Sequence, residues 1–246
     1  GLSRPDGGSL DRAGREGLHR VNDPTGIVTD RRLLRGDPRL EPVDADTVVQ
    51  YGRAVACGLS VLMDIRDLHT GIHSTRLAEW VVRMGEQLGL GEAELHDLEI
   101  ASLLHDVGKV GIPDEVLLKP GRLTEEEMAV VRRHPDLGWA VLRQIPGFER
   151  VSLFVLHHHE WVDGRGYPAG LTRRHTPLGA RVVSVVDAFD AMISTRPYRK
   201  SLPPEEAFRR LRIGRDTQFD RDIVDLFISI AAADLEEVSQ IAEPAR

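Results

Sequence analysis

The stretch Leu103-Leu104-His105-Asp106-Val107-Gly108-Lys109 is the one around which the fold is organised, because it joins an apolar helical run to two metal-ligand side chains. The apolar spacing predicts a helix over residues 92–107, with His105 and Asp106 at its C-terminal end. Glycine readily adopts the left-handed conformation that commonly ends a helix, so we expect it at Gly108. Lys109 would then lie just past the turn, beside whatever His105 and Asp106 hold.

Helical periodicity continues on both sides of this stretch, and strand-type alternation is not convincing anywhere in the sequence. Residues Val48, Val55, Leu59 and Leu62 form an apolar stripe that predicts a first helix beginning near Asp44. Thr124 and Glu127 form a capping box, which predicts a helix running to about Gln144 and carrying His134. Apolar patterns predict further helical segments over residues 70–88, 151–156, 178–194, 203–213 and 220–233.

These patterns predict an all-α protein with one helical domain over residues 43–232. Residues 1–42 are rich in Gly, Pro, Arg and Asp and lack sustained periodicity, so we expect a linker, an arm or the remnant of an upstream module. Residues 233–246 are expected to form a polar C-terminal tail.

Composition narrows the functional classes. The chain has 246 residues and a net charge of −7, which argues against binding a nucleic-acid polymer by bulk attraction. Its one cysteine, Cys57, cannot form an intrachain disulfide framework or a thiolate metal site. No apolar run is long enough for a membrane span and no signal peptide is visible, so a cytoplasmic protein is expected. Only three of the 32 basic residues are lysine, and Lys109 is one of them.

Histidines and aspartates recur in apolar helical settings along the chain. A single histidine on an apolar face is usually an ordinary core residue, but here a whole set lies on separate predicted helices: His73, His105-Asp106, His134, His158-His159 and Asp187. A buried carboxylate such as Asp187 needs a cation or strong donors. Imidazole and carboxylate ligands suit Fe, Mn, Zn, Co or Ni, and two adjacent metals suit phosphoester hydrolysis. The residues therefore predict a helical metal-dependent hydrolase.

The motifs also resemble those of the HD-GYP family of the HD phosphohydrolase superfamily. The resemblance rests on residues 105–109, on His158-His159-Glu160 and on Asp163-Gly164-Arg165-Gly166-Tyr167-Pro168. It extends over about residues 66–230 and includes 118–121, His134-Pro135, 180–182, 187–191, 196–199 and 218–220. It implies an HD-type helical bundle with an extended C-terminal helical region, and a cyclic di-GMP phosphodiesterase with a bimetal or trimetal centre of iron or manganese.

Carried over residue by residue, the resemblance implies two metal sites bridged by Asp106. His73, His105 and Asp187 would complete one site, and His134, His158 and His159 the other. A metal-bridging hydroxide would attack phosphorus and give pGpG, with further cleavage to GMP left open. Lys109, a catalytic residue, would contact a phosphate oxygen, and three further residues would bind substrate: Tyr167, Arg196 and Arg199.

Several alternatives stay open from the sequence. The substrate could be another cyclic dinucleotide such as 3′,3′-cyclic GMP-AMP, or the domain could be a weakly active, cyclic di-GMP-responsive interaction module. Its signature loop could dock onto diguanylate cyclase domains, and the chain could form a homodimer. We expect two metals, although His69, four residues before His73, could reach a third.

Overall fold

The computed structural model of the protein describes residues 45–66, 73–194 and 200–242. Within these ranges the chain is helical and has no β-strand, only the isolated bridges Asp163–Thr172 and Arg215–Phe219. The expectation of an all-α protein is therefore confirmed. Residues 1–42, His69, Arg196 and Arg199, for which the sequence makes predictions, lie outside the described residues.

The described part of the chain contains ten α-helices and one 3₁₀ turn. They are α1 (Ala45–Arg66), α2 (His73–Gln87), α3 (Glu92–Leu104), the 3₁₀ turn (Val107–Gly111), α4 (Asp114–Leu117), α5 (Glu125–Val131), α6 (His134–Leu142), α7 (Glu149–His157), α8 (Leu178–Ile193), α9 (Pro204–Ile213) and α10 (Arg221–Ala242). The last helix thus continues past Ala233, where the apolar pattern predicts its end. Among the helices of these ranges, none combines the length and the apolar character that a membrane crossing requires.

Two apolar clusters hold the helices together. Leu77, Val81 and Met84 follow a helical repeat on α2 and are buried against α8, α9 and α10, around Phe189 and Phe227. A second cluster packs α3 against α1, α6 and α7 and contains Ile100, Leu104, Leu142 and Val155. Helices α2 and α3 also pack on each other, and both contact α8. The ends of these helices meet at the site described below.

The helix predicted over residues 124–144 is wrong, because the structure has two helices there, α5 and α6. The capping box at the start of α5 is present: Glu127 N donates to Thr124 Oγ1 (3.2 Å) and Thr124 N donates to Glu127 Oε2 (2.8 Å). The break follows from Pro135, which lies in the first turn of α6. Proline has no N–H, so it cannot donate to the carbonyl of Val131 four residues earlier.

Gly108 also differs from expectation. It is not among the glycines with a positive φ in the described residues, so it does not end α3 in the left-handed conformation. It lies in the 3₁₀ turn, packed directly against α6, where an added Cβ would be 1.9 Å from the carbonyl oxygen of His134. Glycine is required here by close packing, and the contact brings the turn that carries Lys109 against the helix that begins at His134.

The apolar stripe of α1 faces outward. Val55, Leu59 and Leu62 are exposed, whereas Ala56, Ser60 and Asp64 are buried against the rest of the domain. The sequence therefore indicates the correct helix and stripe, but the stripe does not line the core.

Candidate metal centre

Six side chains predicted as ligands form two groups in the structure. His73, His105 and Asp187 form the first triad, and His134, His158 and His159 form the second. Within each triad, the ligand atoms lie within 4.8 Å of one another. Helix ends supply most of them: His105 follows α3, His73 begins α2, His134 begins α6, and His158 follows α7. Asp187 reaches the centre from within α8.

Asp106 lies between the two triads. Its Oδ1 is 3.3 Å from Nε2 of His134, and its Oδ2 is 3.3 Å from Nε2 of His105. The same Oδ2 is 2.7 Å from Nζ of Lys109. The two oxygens of one carboxylate therefore face different triads, which is the arrangement that a ligand shared by two metals needs.

Helix C-terminal carbonyls orient three of the imidazoles. Nδ1 of His105 donates to Ser102 O (2.7 Å), that of His134 to Val131 O (2.8 Å), and that of His158 to Val155 O (2.6 Å). Carbonyls in the last turn of a helix lack intrahelical partners, so they are available to accept these bonds. A proton on Nδ1 leaves Nε2 as the free ligand atom in each ring. In His134, this depends on the Val131 carbonyl that Pro135 leaves unpaired.

His73 is oriented differently, by a carboxylate on α8. Its Nδ1 hydrogen-bonds Oδ2 of Asp190, a fully buried residue that also accepts from Ser194 Oγ (3.1 Å) and pairs with Arg76. The sequence reasoning assigned no role to Asp190. The available signal was its position three residues after Asp187, which places both carboxylates on one face of α8.

The electrostatics of the second triad favour neutral imidazoles. Burial, followed by the charges of neighbouring groups, holds the pKa of His158 well below its usual value and lowers the pKa of His159 to about 3. Burial also lowers the pKa of His134. A neutral imidazole is the form that binds a metal, so this triad does not need to lose protons at neutral pH.

At His105 of the first triad and at Asp106, neighbouring charges outweigh the effect of burial on the pKa values. Burial disfavours the charged form of His105, but Asp106 and Asp187 outweigh it and raise the pKa of His105 to about 9. Burial likewise disfavours the charged form of Asp106, but the charges of Lys109 and then His105 hold the pKa of Asp106 well below its ordinary value. Asp106 is therefore an anion between the two triads.

These residues fit divalent transition-metal ions. Nε2 of His105 is buried and has no hydrogen-bond partner among the described residues, although carboxylate oxygens lie 3.3 and 3.8 Å away. An orphaned nitrogen beside two carboxylates is costly unless a cation occupies the space between them. Nitrogen and oxygen donors in this proportion suit Fe, Mn or Zn better than Mg or Ca, which prefer oxygen alone.

The irregular segment 161–176 closes one side of the centre. The ring of Tyr167 lies against that of His159, with centroids 4.8 Å apart and planes inclined at 30°, and the guanidinium of Arg132 lies 5.7 Å from the Tyr167 ring centroid. Burial and the charges of Asp106 and Asp187 raise the pKa of Tyr167, so its phenol stays protonated. Glu160, which is buried, accepts from the backbone N–H groups of Ala169 (2.7 Å) and Leu171 (2.9 Å) and so holds the segment in place.

The structure thus brings together all seven residues predicted as metal ligands, together with Lys109 and Tyr167. His157 belongs to neither triad, and its Nδ1 is 3.6 Å from Glu160 Oε1. The roles assigned to all these side chains stay predictions, as do those of His69, Arg196 and Arg199.

Comparisons with known proteins agree with this picture. The sequence model described as "HD domain" matches residues 59–223. The chain is 39% identical over 214 residues to the cyclic di-GMP phosphodiesterase response regulator RpfG of Xanthomonas campestris, covering 86% of this chain and 54% of that protein. It is 34% identical over 182 residues to 3′3′-cGAMP-specific phosphodiesterase 2 of Vibrio cholerae, covering 73% of this chain and 35% of that protein.

The chain therefore spans about half or less of the length of these curated relatives. Among solved structures, it superposes with a TM-score of 0.57 on Bd1817, an HDG"Y"P protein from Bdellovibrio bacteriovorus, at 20% identity. That superposition covers 76% of this chain and 64% of the other, and supports the fold alone. Since the family model matches more than half of the residues, the chain belongs to the HD domain family.

Proposed function

We propose that this chain is a cyclic dinucleotide phosphodiesterase that hydrolyses cyclic di-GMP to pGpG, GMP or both. The observation that carries the proposal is Asp106, whose two carboxylate oxygens face separate ligand triads while Lys109 approaches one of them at 2.7 Å. The relative with 39% identity is named a cyclic di-GMP phosphodiesterase, which supports the same substrate.

Two divalent metals are proposed for this centre, with iron or manganese expected. His73, His105 and Asp187 would hold one, and His134, His158 and His159 the other, with Asp106 shared between them. When bound, such ions lower the pKa of water and neutralise the charge that develops on phosphorus during phosphodiester cleavage. The count of two, against three with His69, remains a prediction.

The remaining residues would handle the substrate. Lys109 presents a compact ammonium on the same side of Asp106 as His105, where it would contact a non-bridging phosphate oxygen. The protonated phenol of Tyr167 can donate a hydrogen bond beside His159. Arg196 and Arg199 directly follow the end of α8 in sequence and are proposed to hold the phosphates further out.

A second candidate substrate is 3′,3′-cyclic GMP-AMP. The observation in its favour is the relative with 34% identity that is named a 3′3′-cGAMP-specific phosphodiesterase. Both dinucleotides present the same cyclic sugar-phosphate backbone to the centre and differ in one base. Docking of diguanylate cyclase domains on the segment 161–176 is a separate prediction that does not depend on this choice.

The test compares the two substrates on one purified protein. Protein loaded with Mn²⁺, or with Fe²⁺ under anaerobic conditions, is incubated with each dinucleotide, and the products are resolved by chromatography. We expect cleavage of cyclic di-GMP and its loss in Asp106→Ala, with the helical far-ultraviolet spectrum retained.

Asp234→Ala is the matched control, because Asp234 is an ion-paired carboxylate on α10 that is not part of either triad. Turnover by metal-replete Asp106→Ala protein would contradict the bridging role. Faster cleavage of 3′,3′-cyclic GMP-AMP would assign the second substrate instead.

A further inference from the structure

Arg132 lies at the joint between α5 and α6, at the edge of the metal centre. Its backbone N–H donates to Met128 O (2.9 Å) and closes α5, and α6 begins shortly after it at His134, a member of the second triad. Its guanidinium lies 5.7 Å from the ring centroid of Tyr167, which is itself 4.8 Å from the ring centroid of His159. A series of contacts therefore connects the triad to an arginine that has no role in the proposed reaction.

The guanidinium of Arg132 has hydrogen-bond donors to offer. Arg132 is exposed and forms no ion pair with any residue that the structure describes. By contrast, Arg173 and Arg181 both pair with the buried carboxylate of Asp220. The contact of Arg132 with the Tyr167 ring is a cation–π interaction, which depends on the charge and does not satisfy the N–H groups. These N–H groups are therefore available to a ligand.

The surroundings of Arg132 fit the base of a nucleotide better than its phosphate. Phosphate is expected beside the triads, where Lys109, whose side chain is only 16% exposed, approaches Asp106. Arg132 is exposed, and the half-buried ring of Tyr167 lies between solvent and the centre beside it. The base of a nucleotide that is held by its phosphate would extend outward to this position. Proteins recognise unpaired bases with aromatic rings and arginines that contact the faces and edges of the base.

The donors of an arginine select guanine over adenine. Along one edge, guanine presents two acceptors, O6 and N7, and the guanidinium can donate to both at once. Adenine presents N7 beside an amino group, so one N–H of the guanidinium would face another donor. Both candidate substrates of this chain contain guanine, and they differ in whether the second base is guanine or adenine.

We propose that Arg132 and Tyr167 form a guanine subsite, in which the guanidinium of Arg132 donates to O6 and N7 of one guanine while an adjacent phosphate lies at the metal centre. The assignment rests on the proposed function and adds base recognition to it. Cyclic di-GMP fills this subsite in either orientation, because its two nucleotides are identical. 3′,3′-Cyclic GMP-AMP places guanine there in one orientation only, so the subsite selects which of its two phosphodiesters is cleaved.

The first experiment measures base preference without any reaction. Guanosine 3′,5′-bisphosphate reproduces one nucleotide of cyclic di-GMP with both of its phosphates and has no diester to cleave, and adenosine 3′,5′-bisphosphate is its counterpart. In calorimetric titrations of Mn²⁺-loaded protein, we expect the unaltered chain to bind the guanosine compound about 10-fold more tightly than the adenosine compound. This preference should disappear in Arg132→Met.

Arg143→Met is the matched control and should keep the preference. Arg143 also follows the last residue of a helix, α6, and is exposed, and its guanidinium lies 4.2 Å from the centroid of an aromatic ring. That ring belongs to Trp139 and not to Tyr167. Circular dichroism shows whether both variants are folded, which is expected because both positions are exposed.

The second experiment identifies the products of 3′,3′-cyclic GMP-AMP. Hydrolysis joins the hydroxyl of water to phosphorus and breaks the P–O3′ bond, while the other water proton passes to the released 3′-oxygen. The two possible cuts therefore give pGpA or pApG, which chromatography resolves. We expect the unaltered chain and Arg143→Met to give one isomer in about 10-fold excess, and Arg132→Met to give both in similar amounts whatever its overall rate.

The two ratios separate base recognition from other roles of Arg132. If Arg132 only packs on Tyr167, or binds phosphate, Arg132→Met would weaken both bisphosphates equally and keep the isomer ratio, which would overturn the guanine subsite. The absence of a guanosine preference in the unaltered protein would also overturn it. A guanosine preference that Arg132→Met removes, in a protein that cleaves neither cyclic dinucleotide, would support the subsite and contradict the proposed reaction.

Discussion

Asp190 hydrogen-bonds Nδ1 of His73 across the contact between α8 and α2, while Asp187 on the same face of α8 approaches Nε2 of that imidazole at 3.8 Å. One helix therefore supplies both the carboxylate that orients the ring and a carboxylate that shares its proposed metal. Backbone carbonyls accept from Nδ1 of His105, His134 and His158. Of these four orienting bonds, only the one to Asp190 can therefore be tested by replacing the acceptor side chain.

Asp190→Asn should weaken metal binding at the first triad by about 10- to 100-fold and leave the second triad unchanged. Both oxygens of Asp190 accept bonds, one from His73 and one from Arg76. An amide offers a single acceptor, so one of these partners would face an N–H group. The measurement is a calorimetric Mn²⁺ titration that resolves two sites, together with elemental analysis after dialysis.

Asp234→Asn provides the control for this prediction. Asp234 also pairs with an arginine of α2, Arg83, but outside the two triads. Its replacement should leave both metal affinities unchanged. Equal weakening of both sites in Asp190→Asn would indicate a general loss of structure and would remove the orienting role from Asp190.

The side chains that the structure brings together at the centre could be predicted from the sequence because His and Asp residues on apolar helical faces point into the domain. Helical spacing places His73 and Asp187 on such faces, and the structure brings both to the centre. Helical periodicity cannot predict which group accepts the hydrogen bond from Nδ1 of each imidazole. A backbone carbonyl can be the acceptor whatever the side chain of its residue. The sequence also does not identify the role of Asp190. A carboxylate that orients a histidine and a carboxylate that binds a metal are both acidic residues on an apolar helical face.

Other differences have equally specific causes. The stripe of Val55 and Leu62 shows which face of α1 is apolar, but an exposed apolar face and a core face have the same periodicity. The local spacing predicts a helix end at Gly108, whereas the structure packs Gly108 against α6, a helix distant in sequence. Long-range packing of this kind cannot be inferred from local spacing.

Lys109→Arg should reduce turnover by roughly 100-fold or more, although the positive charge is kept. Nζ of Lys109 reaches Asp106 at 2.7 Å from a largely buried position, and a planar guanidinium is larger and needs a different approach. The measurement is kcat with metal content determined on the same sample. Unaltered turnover in the metal-replete variant would show that charge alone is sufficient at this position.

Arg66→Met should lower kcat while leaving metal content and KM nearly unchanged. The variant loses the guanidinium group that donates hydrogen bonds to the carbonyls of Lys109 and Ile112. The turn that positions the Lys109 ammonium is therefore less constrained. The carbonyl of Lys109 keeps the N–H of Ile112 as a donor at 3.0 Å, but that of Ile112 loses Arg66, and an unpaired, partly buried carbonyl costs about 1–3 kcal/mol of unfolding free energy.

Arg53→Met is the matched control for Arg66→Met, since Arg53 is also an α1 arginine with an ion pair, but its partner is Glu99 of α3 and not the turn. Urea unfolding and steady-state kinetics on both variants separate the two effects. A loss of stability in Arg66→Met without a change in kcat would mean that Arg66 braces the fold but does not position Lys109.

Pro135→Ala should weaken metal binding at the second triad by about 10-fold while slightly increasing helix content. Alanine restores an N–H that can donate to the Val131 carbonyl, and that carbonyl now accepts from Nδ1 of His134 at 2.8 Å. Alanine also has the highest helix propensity, so α5 and α6 would tend to join and draw His134 out of position.

The control for Pro135→Ala is Pro204→Ala, because Pro204 also lies in the first turn of a helix, α9, and neighbours no proposed ligand. Mn²⁺ titration of both variants, with circular dichroism on the same samples, gives the comparison. A carbonyl oxygen has two lone pairs and can in principle accept two bonds. Unchanged affinity in Pro135→Ala would therefore show that Val131 serves both donors, and that the break between α5 and α6 is not needed to orient His134.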